Sequence, residues 1–202
     1  MVASSDRPAA AAPEEARLRR WVRGTPWLMA ALRHARDLRL AHWCIGAGAV
    51  RNLVWERLHG RQLEARQLDD LDLAHHSPQR PQSDDALLAQ RLRAAAPYRW
   101  EVVNQARVHE WPEARPGTAP HPTLEAALAS WPETATAVGL GLDWRDQLHI
   151  VAPYGLGDLM AGVLRCSPCA DPADFEQRLQ AKAFLARWPR LRLVRDAETR
   201  PN

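Results

Sequence analysis

The chain is poor in several things that whole protein classes require. Its 202 residues include only three cysteines, Cys44, Cys166 and Cys169, an odd number too small for a disulfide framework and one that fits a reducing compartment. No apolar run approaches the roughly 20 residues that cross a bilayer; the stretch Ala135 to Leu142 is among the longest. Met1 to Pro13 has no apolar core of the signal-peptide kind. These absences give a cytoplasmic protein, with no membrane partner, as the expectation. Charge of one sign is also missing as a block: 27 basic and 24 acidic residues are interspersed, for a net +3, so charge alone makes nucleic acid an unlikely partner. Lysine is nearly absent, Lys182 standing alone among arginines, a bias of GC-rich coding rather than of function. With 46% hydrophobic and 25% charged residues, a collagen-like, coiled-coil or wholly disordered chain is excluded, and the length suffices for one domain with a sizeable core. Nine tryptophans, spread from Trp21 to Trp188, read as large core and sub-surface fillers.

Residues 1–13, rich in alanine and without periodicity, are expected to be a disordered leader, 14–195 a single domain and 196–202 a tail. The pattern from Glu14 to about Leu40 predicts two short helices, the second opened by Thr25-Pro26. A short strand, His42 to Ile45, enters the glycine turn Gly46-Ala47-Gly48, and a helix follows to Leu58. Leu68 to Ala74 alternates with period two and predicts a strand whose polar face is acidic. A helix from Ser83 to Ala96 precedes a third strand, Tyr98 to Val103. Beyond it the pattern predicts a helix over Asn104 to Trp111, a Pro/Gly loop, a helix from Thr123 to Ser130 and two strands, Ala135 to Leu142 and Leu148 to Val151. A helix near Gly157 to Leu164 and one from Pro172 to Trp188, capped by Asp171, close the chain. The fold class expected is α/β (α+β), a small mixed sheet with flanking helices.

Asp70 and Asp72 carry the chemistry. On a strand, residues i and i+2 point to one face, about 7 Å apart, so two carboxylates can converge on one or two divalent cations. Two-metal phosphoryl or nucleotidyl transfer needs such a pair, and hard oxygen ligands select Mg²⁺ or Mn²⁺ over zinc. An Asp-x-Asp also occurs on plain solvent-facing strands, so context matters. Upstream, Gly46, Ala47 and Gly48 offer free backbone N–H groups at a helix start, suited to a phosphate chain. Downstream, Glu101 shares a strand face with Arg99 and Val103 and can supply a third carboxylate.

This order of parts resembles the DNA polymerase beta superfamily of nucleotidyltransferases. More closely, Trp43 to Trp55, Asp70-Leu71-Asp72, Trp100 to His109 and Ala152 to Leu159 are similar to a bacterial nucleotidyltransferase-like family of about this length. The resemblance spans Glu14 to Val194. It implies Asp70, Asp72 and Glu101 as catalytic residues, the two aspartates as metal ligands and Glu101 as the third carboxylate, a metal ligand or the base for the incoming hydroxyl, with Gly46 and Gly48 forming the phosphate turn. Two departures stand out: Ala47, where the superfamily has a second glycine or a serine, and the long spacer from Ala49 to Asp69.

Arg51 and Asn52, on the helix after the turn, can reach phosphate or base; helix capping and surface charge is the plainer role. Asn104, Gln105, Arg107 and His109 leave the third strand beside the acids and are candidate substrate contacts, or a clamp holding that segment to the sheet. His75-His76 and the lone Cys166-x-x-Cys169 are read as structural. The expected function is transfer of a nucleoside monophosphate from an NTP to an unidentified acceptor, a small molecule, a tRNA or a protein, with Mg²⁺ (or Mn²⁺) as cofactor and pyrophosphate released. The alternative is a catalytically inactive nucleotide- or protein-binding module on the same fold.

Overall fold

A computed structural model describes residues 12–195 except 113 and 116. The elements are α1 (Pro13–Arg23), α2 (Pro26–Asp37), β1 (Trp43–Ile45), α3 (Ala47–Leu58), β2 (Leu71–His75), α4 (Asp84–Ala95), β3 (Trp100–Asn104), α5 (Leu124–Ala129), β4 (Gly139–Leu142), β5 (Leu148–Val151), α6 (Gly157–Ala161), β6 (Val163–Arg165), α7 (Pro172–Lys182), α8 (Phe184–Arg187) and β7 (Arg192–Val194). Five strands form a mixed sheet in the order β3-β2-β1-β4-β5, parallel only between β2 and β3. This is the expected fold class.

Period-two alternation gives the sheet two unlike faces. Ile45, Leu71, Leu73, Trp100, Val102 and Leu140 lie in the main core. There they meet Leu18 and Val22 of α1, and Leu28, Leu32 and Ala35 of α2, which recur at helical spacing along one stripe. Helix α3 runs through this core and buries every residue from Ala49 to Glu56. The other face is only partly covered. Cys44 and Ala74 pack there against Leu124 and Leu128 around α5, and this small cover does not include the neighbouring Asp72 and Glu101, which line a cavity instead.

Close packing under α5 depends on Gly139. A Cβ built there would stand 2.7 Å from Cys44 Cβ, inside any real contact.

The differences from the sequence reading are local. Past Asn104 the chain makes a turn and a short 3₁₀ segment, Val108–Glu110, instead of a helix. Glu133 to Val138 is a turn, with Thr136 and Ala137 N–H groups donating to Glu133 O, so β4 starts only at Gly139. Gly162, at φ 66°, ends α6, and β6 follows to pair in parallel with β7 in a two-stranded ribbon that the pattern did not indicate. Runs of three residues are too short to display a period. Ala183, at φ 47°, breaks the expected long last helix into α7 and α8. Asp171 caps α7 as expected, accepting from Ala173 N–H at 2.7 Å. The expected leader and tail lie outside the described residues apart from its last two positions, and Pro13 already opens α1.

A Gly139→Ala variant is expected to lose roughly 1–3 kcal/mol of stability in urea denaturation, the usual result of overpacking a filled site.

Candidate active site

The parallel register of β2 and β3 sets Asp72 directly beside Glu101. Asp70 sits one residue before β2, on the same side as Asp72. One carboxylate oxygen from each of Asp70, Asp72 and Glu101 lies within 4.8 Å of the other two. Glu101 is exposed, whereas Asp72 is half-buried. Burial first, then the charges of Asp70 and Glu101, push the Asp72 carboxyl up to about 7, against the pull of the Gly48 N–H and of Arg51. Carboxylates crowded to this degree need a counter-charge. An all-oxygen set of three acids fits a hard divalent cation such as Mg²⁺ or Mn²⁺.

The glycine turn is fastened to the same strand. Gly46 N–H donates to Asp72 O at 3.1 Å, and a Cβ on Gly46 would meet the Trp131 ring at 2.8 Å, so no larger residue fits. Ala47 opens α3 with φ 47°, a left-handed conformation that disfavours any side chain. The long spacer Ala49 to Asp69 is taken up by the whole of α3 and a 3₁₀ turn at Ala65–Gln67. It therefore returns the chain to the acids without displacing them.

Arg51 is buried beneath the turn. Its guanidinium donates to Thr136 Oγ1 at 3.2 Å and to Asn52 Oδ1 at 3.1 and 3.2 Å. It also stacks 4.6 Å over Phe184 and 5.3 Å over Trp55. Burial lowers its pKa to about 10, countered by Glu133 and Asp72 and reinforced by Arg178 and Arg187; it stays a cation at neutral pH.

The turn and the acids share one cavity of ≈ 470 Å³, also lined by Arg51, Asn52, Gln105, Arg178 and Lys182. Arg178 and Lys182 come from one face of α7, across the cavity from the carboxylates. Glu133, fully buried, holds Arg178 there by accepting from its Nε at 2.7 Å. The sequence reading missed both cations; their i, i+4 spacing is a faint signal, since such pairs are common on solvated helix faces. A larger groove of ≈ 1060 Å³ runs between α1, α5 and the β4–β5 pair. It contains neither the turn nor the acidic cluster, so chemistry rather than size selects the smaller cavity.

Three candidate contacts do not reach this cavity. Asn104 Oδ1 accepts from Ser77 and Ala106 N–H, and its amide donates to Ser77 O and Arg80 O, so the side chain clamps the loop after β2. Arg107 is engaged with Glu110 and Pro78 O, and His109 lies 3.7 Å from Glu110. The turn that replaces the expected helix carries these residues away, and only Gln105 stays at the cavity. His75 points to the core face, between Asp85 and Ser77, and His76 meets His121 O at 2.8 Å. Tyr154 donates to Ala129 O, and Asp158 accepts from Thr134 and Arg165, anchoring the loop before α6.

Residues 33–193 match the family described as Nucleotidyltransferase. The chain belongs to that family. As a nucleotidyltransferase it is also similar, at 29% identity and TM-score 0.77, to a protein whose NMR structure reveals a CCA-adding enzyme head domain, with 92% of this chain and 97% of that one covered. The Thermotoga maritima CCA-adding enzyme complexed with tRNA_CCA shares the fold at TM-score 0.55 and 16% identity over 90% of this chain. A tRNA nucleotidyltransferase complexed with a primer tRNA and an incoming ATP analog does so at TM-score 0.51 and 18% identity over 83%. The nucleotidyltransferase spans only 43% and 47% of the length of those two chains. No curated protein matches it. Among the described residues no helix is long and apolar enough to cross a membrane.

The raised Asp72 pKa has a signed consequence. Between the ordinary carboxyl value and about 7 the folded state holds a proton that the unfolded state has lost, so in metal-free buffer stability falls as pH rises through that window. Asp72→Asn is expected to melt several degrees above the wild type at pH 8 in EDTA, and level with it at pH 4. Ala47→Gly is expected to gain roughly 0.5–1 kcal/mol, the relief of left-handed strain less the added chain entropy; chemical denaturation reads it.

Proposed function

We propose that the protein is a metal-dependent nucleotidyltransferase that moves a nucleoside monophosphate from an NTP to an acceptor hydroxyl and releases pyrophosphate. The observation that carries this reading is the convergence of Asp70, Asp72 and Glu101 within 4.8 Å beside the glycine turn. The N–H groups after Gly46 and the start of α3 receive the phosphate chain, with the buried cation of Arg51 behind them. Arg178 and Lys182 face the same space and neutralise the outer phosphates. When bound, divalent Mg²⁺ or Mn²⁺ at the three carboxylates supplies positive charge that offsets charge developing on the phosphoryl oxygens.

Glu101, the most exposed of the three acids, is placed to accept the proton of an incoming hydroxyl. The acceptor oxygen forms the new bond to the α-phosphorus, the bond from that phosphorus to the β-phosphate bridging oxygen breaks, and pyrophosphate carries away the electron pair. Two of the similar structures hold tRNA, which supports an RNA end among the acceptors. A nucleotide-binding protein without turnover remains the second reading, favoured by Ala47, which carries no hydroxyl and sits at φ 47°.

Asp70→Asn and Glu101→Gln are each expected to lower NTP-dependent pyrophosphate release by about a hundredfold or more, the scale of losing a group that stabilises transition-state charge. Calorimetric titration of the four NTPs with magnesium and with EDTA accompanies that assay. Magnesium-dependent binding without pyrophosphate release across nucleic-acid, small-molecule and protein acceptors would select the second reading.

A further inference from the structure

A second cleft opens beside Asp70, one of the three carboxylates. It has a volume of ≈ 350 Å³ and shares Leu68 and Asp70 with the active cavity, but runs toward the N-terminal end of α2 and the loop before β3. Its walls are the half-buried rings of Trp27 and Tyr98, together with Pro97, and at its rim stand the exposed cations Arg66 and Arg99. We infer that this cleft is the acceptor subsite of the transfer reaction, taking a base near the 3′ end of a single-stranded RNA whose terminal hydroxyl reaches Glu101. The inference rests on the transferase reading given above.

The aromatic wall is rigid before any ligand arrives. Trp27 packs edge-on to Tyr98 at 6.3 Å, and Tyr98 edge-on to Trp100 at 5.9 Å. Trp27 Nε1 donates to Leu63 O at 3.0 Å, and Trp100 Nε1 to Ala96 O at 3.3 Å. Rings fixed in this way present a stacking surface that loses little entropy on binding. Both Trp27 and Tyr98 pack one side against the main core and keep the rest of their surface open toward the cleft.

The charge of the rim selects among acceptors. Arg99 makes no side-chain hydrogen bond or ion pair among the described residues, and Arg66, 82% exposed, bridges only its neighbour Glu64. A cationic small molecule would be repelled by these two guanidinium groups. A hydroxyl on a peptide would need neither the stacking faces nor the charge. A phosphate-linked base uses both at once, with stacking on the rings and phosphates on the arginines. Asp70 lines both cavities, so an acceptor lying in the cleft has its end at Asp70, the edge of the cavity that holds Asp72 and Glu101.

The test is binding of a fluorescein-labelled single-stranded hexaribonucleotide with a free 3′ hydroxyl, followed by anisotropy, beside calorimetry of magnesium-NTP on the same preparations. Arg99→Glu, on an exposed side chain that leaves the fold intact, and Tyr98→Ala are each expected to weaken RNA binding about tenfold, and Tyr98→Trp to restore it. Affinity within twofold of wild type in both variants would overturn the inference, as would no RNA binding by a wild type that titrates normally with NTP. Equal competition by a serine-containing peptide would also overturn it. RNA binding that depends on Arg99 and Tyr98 in a protein silent toward every NTP would uphold the cleft as an RNA site and remove the transfer reading alone.

Discussion

Three negative charges held within 4.8 Å of one another on the open face of a sheet repel strongly, and much of this architecture is what tolerates that repulsion. Parallel pairing puts Asp72 beside Glu101, a juxtaposition of like charges that costs stability between neighbouring strands. The opposite faces of the same strands offset it: Leu71, Leu73, Trp100 and Val102 are sunk in the main core. The strands cannot separate without exposing that apolar surface. The proton that Asp72 retains up to about 7 is the remaining sign of the conflict.

Positive charge is distributed around the acids at two depths. Arg51 is buried and held by Thr136, Asn52 and two aromatic faces, so its position does not depend on a ligand. Arg178 and Lys182 lie nearer the surface on α7, with Arg178 tethered by the buried Glu133. The C-terminal elements thus contribute to the site although they are remote from it in sequence. Phe184 of α8 supports Arg51, and the β6–β7 ribbon ties this region to the rest of the chain.

Much of this was legible from residue order. Asp-x-Asp in an alternating segment, a glycine turn between strand and helix, and an acid on a later strand are local features. Their periods follow from backbone geometry that tertiary contacts seldom override. Of the candidate contacts after β3, Asn104, Arg107 and His109 lie away from the cavity for an equally physical reason. Asn104 has a strong local option in the Ser77 to Arg80 loop, and taking it ends the strand in a turn, which carries Arg107 and His109 off the site. Polar density could not distinguish a clamp from a ligand contact.

The alternation of apolar and polar side chains thus settles which face of each strand is wet, and the glycine punctuation settles where the turn between β1 and α3 lies. Both depend on sterics within a few residues. Whether Asp72 faces Glu101, whether Arg178 and Lys182 point across the cavity, and whether Trp27 and Tyr98 wall one cleft depend on strand order and helix docking. Those are set by the summed burial of side chains distant in the chain, and no short stretch of sequence records that sum.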